Sequence, residues 1–146
     1  MPDAVSLLAD ELGRILTRSN RAVLYDEITD AVDGVTATTY PVLSGLARTG
    51  PVTVTVLAEA IGMDRTVVTK YVGHLVDAGL IAKAADADDG RSRRLELTTS
   101  GRATIDVMRS RLHRVLRRAT DDWPAADVTR LAELLGRLTD SIATQR

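Results

Sequence analysis

No cysteine occurs among the 146 residues, which excludes disulfides, thiolate metal sites and thiol redox switches. Phenylalanine is also missing, and the only aromatics are one Trp and three Tyr. The core must therefore be built from Leu, Val, Ala and Ile, and chains rich in Leu and Ala favour helices. No run of about 18 apolar residues is present, so no membrane-spanning helix is expected. The first residues carry no basic stretch of the secretory type, and a cytoplasmic protein is expected. Net charge is nearly absent too, at −1. The molecule as a whole offers nucleic acid no attractive field, so any such surface has to be local.

What is present fits one ordinary folded domain, with 45% apolar and 27% charged residues. The charge is unevenly spread. Residues 1–34 hold seven acids against three arginines, and residues 103–120 hold five arginines against one acid. Residues 53–102 balance seven against seven.

Apolar spacing organises the chain. Val5, Leu8, Leu12, Ile15 and Leu16 recur at helical intervals, and one helix is expected from Asp3 to about Val32, stopped by Gly34. Pro41 suits the first turn of a second helix starting near Thr39. A short extended lead-in then precedes a helix over 55–61, ended by Gly62. Asp64 is a good cap for the next helix, which Gly79 ends. Two short strands follow, from Ile81 to Ala84 and in "RLELT", separated by the turn pair Asp89-Gly90. A long helix runs from Thr98 or Thr99 to about Thr120, and Trp123-Pro124 opens the last one. The order is four helices, a hairpin and two helices, a fold that is mainly α with a small β-hairpin.

Enzyme chemistry finds no foothold in this pattern. No Gly-rich phosphate loop follows a strand, and neither a Ser-His-Asp order nor a His/Glu metal motif stands out. His74 and His113 lie far apart and lack carboxylate neighbours at ligand spacing, so neither a metal nor another cofactor is expected. The two helices joined by "GMD" instead make a helix-turn-helix, whose second helix enters the major groove of DNA in proteins built this way. On that helix Val68, Val72, Leu75 and Val76 form the apolar face, with Tyr71 at its edge. Arg65, Thr66, Thr69, Lys70 and Gly73 fall opposite. Arg can fork onto guanine, and Thr offers a hydroxyl to phosphate or a methyl to thymine. A bare amphipathic helix with a solvated outer face is the alternative.

The stretch "LAEAIGMDRTVVTKYVGHLVDAGLI", followed by "DADDGRSRRLELTTSGR", resembles the winged helix-turn-helix of the MarR (multiple antibiotic resistance regulator) family of bacterial transcription factors. The resemblance covers roughly Val54 to Arg102 closely and the rest loosely. It implies a single MarR-like domain over 1–146, with a DNA-binding lobe at 35–100 and helical dimerisation regions at 1–33 and 101–146. It further implies that Arg65, Thr66, Thr69 and Lys70 contact DNA and that Arg91 lies in the minor groove with Arg93 as a second wing cation. Asp89 and Gly90 would shape the wing. Where the family often has a Thr-Val-Thr run, this chain has Val67-Val68-Thr69, one hydroxyl fewer.

The function implied is a sequence-specific double-stranded DNA-binding regulator, a homodimeric repressor on a palindromic operator. A small aromatic or anionic effector is implied as well, with Tyr25, Tyr40, Met108 and His113 as its candidate contacts. A winged-helix protein-interaction module without DNA binding is the second reading.

Overall fold

Asp3 starts the first helix, its carboxylate accepting the Ser6 backbone N–H at 2.8 Å. That bond holds the Asp3 carboxyl below the usual carboxylate range. Helix α1 (Ala4–Leu16) then stops, because Thr17 turns extended and α2 (Arg18–Thr29) begins afresh. The single helix expected from Asp3 to Val32 is thus two. The cause is local competition by hydroxyl and amide side chains. Thr17 Oγ1 donates to the Arg14 carbonyl at 2.9 Å and accepts the Asn20 backbone N–H at 3.4 Å, and Asn20 Nδ2 donates to the same carbonyl. Nor does Gly34 end the helix. α2 closes at Thr29, with Ala31 (φ 53°) and Gly34 (φ 79°) both left-handed beyond it.

This computed structural model describes residues 1–85 and 93–145. They continue as α3 (Tyr40–Thr49), β1 (Val52–Thr53), α4 (Val54–Ile61), α5 (Arg65–Asp77), β2 (Ile81–Ala85), β3 (Arg93–Leu97), α6 (Thr99–Ala119) and α7 (Ala125–Ala143). The expected lead-in to α4 is a strand in its own right. β1 pairs antiparallel with β3, Val52 opposite Leu95, and makes a three-stranded sheet of order β1-β3-β2. Across the hairpin Ile81 faces Leu97 and Ala85 faces Arg93. Two compact units divide the chain, Met1–Leu112 and His113–Arg146.

The core lies in the first unit and is aliphatic, as the missing phenylalanine requires. Leu43 and Leu46 of α3, Leu57 of α4, Val68, Val72 and Leu75 of α5, Ile81 and Leu95 of the sheet and Met108 of α6 are all buried. Helices α3 and α4 cross closely because Gly45 has no side chain. A Cβ there would meet Ile61 Cγ2 at 2.3 Å. Helices α1 and α7 bury no residue. Leu8 and Ile15 on α1, and Leu131, Leu135 and Ile142 on α7, stay exposed.

The segment "LTTSGR" joins the sheet to α6 and explains its own residue choices. Thr98 donates through its backbone N–H to the Leu80 carbonyl (3.1 Å) and through Oγ1 to the Gly79 carbonyl (2.6 Å). The same Oγ1 accepts the Gly101 N–H at 2.9 Å and so caps α6. Arg102 Nη1 closes the group on the Leu97 carbonyl at 2.9 Å. Gly101 must be glycine, since a Cβ would sit 2.1 Å from the Leu80 carbonyl oxygen.

Gly101→Ala should therefore lower stability by about 2 kcal/mol through overpacking. Gly73→Ala, in the open middle of α5 with nothing within 4 Å of the added Cβ, should raise it by about 0.5–1 kcal/mol. Urea denaturation of the two variants beside the parent checks both signs.

Candidate functional site

Only Gly62, Met63 and Asp64 separate α4 from α5. Gly62 is left-handed (φ 68°, ψ 34°), its N–H donating to the Glu59 carbonyl at 3.3 Å while the Met63 N–H donates to Ala58 at 3.0 Å. That pair of bonds is a Schellman closure, and it turns the chain sharply into the next cap. Asp64 Oδ1 accepts the N–H groups of Thr66 at 2.8 Å and Val67 at 3.3 Å. These two amides would otherwise be free to receive an anion at the helix N-terminus. The Asp64 carboxylate thus already occupies both of these amides. The far end repeats the Schellman pattern, with Gly79 N–H on Val76 and Leu80 N–H on Leu75, both at 2.9 Å.

Between its two closures α5 is sharply divided. Val68, Val72 and Leu75 are fully buried, whereas Arg65, Thr66, Thr69 and Lys70 are all exposed. Thr69 Oγ1 donates to the Arg65 carbonyl at 2.8 Å. Its proton is thereby committed to the helix, and what it can offer outward is an acceptor lone pair, not a donor to phosphate. Val67 joins the outer side at 37% exposure.

The hairpin sorts its arginines by task. Arg94 Nη2 donates to the Pro51 carbonyl at 2.6 Å and braces β1 against β3. Arg93, opposite Ala85 on the last described rung, is exposed. Asp89, Gly90 and Arg91 lie outside the described residues.

A second feature lies between α3 and α6. A cavity of about 260 Å³ is lined by Tyr40, Ser44, Ala47 and Arg48 from α3 and by Ile105, Met108, Arg109 and Leu112 from α6. Its floor is apolar, with Ile105 and Met108 buried, and its two arginines are exposed. Tyr25 packs against Tyr40, ring centroids 5.0 Å apart and tilted by 60°. Three of the four expected effector contacts are thus brought together. His113 is not among them and lines a different cavity of about 400 Å³, with Leu116, Arg117, Leu131 and Leu135 among its neighbours. Arg48 and Arg109 were not singled out in the sequence. The signal was there in part, since Tyr40, Ser44, Ala47 and Arg48 share one helix face, as do Ile105, Met108, Arg109 and Leu112. Among the described residues no group of three or more His, Asp or Glu side chains could hold a metal, and no helix is long and apolar enough to cross a membrane.

A profile described as MarR family matches residues 33–92. A probable transcriptional regulator from Pseudomonas aeruginosa is 31% identical, with a TM-score of 0.66 over 90% of this chain and 98% of that one. A crystallised MarR family transcription regulator is 25% identical, with a TM-score of 0.73 over 97% of each chain. At 20% identity and a TM-score of 0.68, over 91% of this chain and 98% of that one, BpsR of Bordetella bronchiseptica shares the fold. The DNA binding of that protein is regulated by 6-hydroxynicotinic acid.

Asp64→Ala should cost about 1 kcal/mol of stability by leaving two helix amides without an acceptor, whereas Asp64→Asn should keep most of the cap. Denaturation midpoints of the two variants distinguish the cap from a mere loss of charge.

Proposed function

The chain belongs to the MarR family, and from that premise we propose that it is a homodimeric repressor that binds a palindromic operator and is released by a small aromatic acid. The observation that carries the proposal is the divided α5. A tight turn presents Arg65, Thr66, Thr69 and Lys70 on one exposed side of a helix whose other side is core. Arg65 is assigned to a guanine edge or a phosphate, Lys70 to phosphate, Thr66 to a phosphate through its hydroxyl, and Thr69 to a base amine through its oxygen. Arg93 and Arg91 are assigned to the adjacent minor groove as wing cations, with Asp89 and Gly90 shaping the wing.

A dimer is supported by the exposed apolar stripes of α1 and α7, which a second copy would cover. Opposite charge favours the same assembly, since residues 1–34 are acidic and 103–120 basic. Two α5 helices about one DNA turn apart would read a palindrome. For the effector, the cavity between α3 and α6 has the right chemistry. Tyr40 suits an aromatic ring, and Arg48 and Arg109 suit a carboxylate. Release follows if the acid binds the DNA-incompetent arrangement more tightly than the competent one.

Selection from a pool of random duplexes at low salt should enrich a palindrome with half-sites about 10 base pairs apart. Arg65→Ala should weaken binding to it about tenfold or more, and Lys70→Ala should also flatten the salt dependence by about one counterion per half-site. No enriched palindrome would sink the proposal.

With 6-hydroxynicotinic acid as the probe, DNA affinity should fall as the acid is added. The Arg48→Ala, Arg109→Ala double variant should bind DNA normally and lose that response. Titration by fluorescence anisotropy reads both.

A further inference from the structure

We propose that Val67 reads a thymine methyl in each half-site and is the specificity-determining apolar contact of α5. The proposal rests on the assignment of α5 as the helix that faces DNA. Among the described residues of the 35–100 lobe, the large apolar side chains left exposed are Val56 on α4 and Val67 on α5. Val67 is therefore the apolar exception among the exposed residues of α5, which are otherwise Arg65, Thr66, Thr69, Lys70, His74 and Asp77. It contributes nothing to the core, which α5 supplies through Val68, Val72 and Leu75.

Its placement is fixed more firmly than that of its charged neighbours. The Val67 N–H is tied to Asp64 Oδ1 at 3.3 Å within the first turn. A β-branched side chain in a helix holds essentially one χ1 rotamer, so the two methyls are presented without a loss of rotamer freedom on binding. One turn further along the same flank come Lys70 and Tyr71, while Arg65 and Thr69 share the other flank. Val67 thus sits beside a cation that can anchor to the backbone.

The major groove offers one apolar feature, the C5 methyl of thymine. Valine can cover that methyl and can satisfy neither the N4 amine of cytosine nor the acceptors of guanine. Placing Val67 over a G·C pair strips water from those groups without replacing their hydrogen bonds. The side chain accordingly favours thymine and penalises G·C by the same contact. On the other flank the Thr69 hydroxyl proton is committed to the Arg65 carbonyl, so Thr69 offers a base only an acceptor.

The test uses the duplex selected from the random pool and removes only the methyl. Each thymine of a half-site is replaced in turn by deoxyuridine, symmetrically in both halves, and binding is measured for the parent protein, Val67→Ala and Val67→Thr. Far-UV circular dichroism confirms that the variants keep their helices. At one thymine position the parent should lose about fourfold per half-site, about fifteenfold for the pair. Val67→Ala should bind the thymine duplex more weakly by a similar factor and lose little more on the deoxyuridine duplex. Val67→Thr, which retains one methyl, should keep most of the thymine preference. A tightly bound palindrome at which every deoxyuridine substitution costs the parent and Val67→Ala the same overturns the role of Val67 and leaves DNA binding standing. Absence of any enriched palindrome removes both.

Discussion

The carbonyls of Gly79 and Leu80 at the end of α5 hold the helix, the sheet and α6 in one arrangement. Thr98 donates to both of them, and Gly101 packs so close to the Leu80 oxygen that no side chain fits. At the other end of α5, a Schellman closure and the Asp64 cap fix where the helix begins. The helix that carries the exposed cations is therefore clamped at both ends by backbone hydrogen bonds and along its length by buried valines and leucine. A surface held this way loses little conformational freedom on meeting a rigid partner, which is where much of the cost of association lies.

Arginine serves two purposes in this chain, and a count of charges cannot separate them. Arg94 braces β1 through the Pro51 carbonyl, Arg102 closes on Leu97, and Arg111 donates to the Asp30 carbonyl. Each satisfies a backbone acceptor where a strand or helix ends. Arg65, Lys70 and Arg93 are exposed instead. With a net charge of −1 the protein depends on such local sorting, because no long-range field assists it.

Much of this was legible in the sequence where the physics is local. The division of α5 follows from the spacing of Val68, Val72 and Leu75, and its ends from Asp64, Gly62 and Gly79. Three features escaped. The break at Thr17 depends on hydroxyl and amide groups outcompeting the helix ladder, and the apolar spacing of Val5 to Leu16 runs past it without a mark. β1 is two residues long, too short to show an alternating pattern, and its partner Leu95 is far away in the chain. Arg48 and Arg109 become neighbours of one cavity only when the faces of α3 and α6 are brought together, a juxtaposition that neither helix encodes alone. The wing's Asp89, Gly90 and Arg91 stand on the resemblance.

The separation of core and outer side on α5 has an evolutionary consequence. Arg65, Thr66, Val67, Thr69 and Lys70 make no contribution to the buried core, and the helix ends are secured by residues outside this set. A gene duplicate could exchange these five exposed side chains, and with them the surface that α5 presents, at little cost in stability. The scaffold thus decouples the chemistry of this outer surface from whether the chain folds.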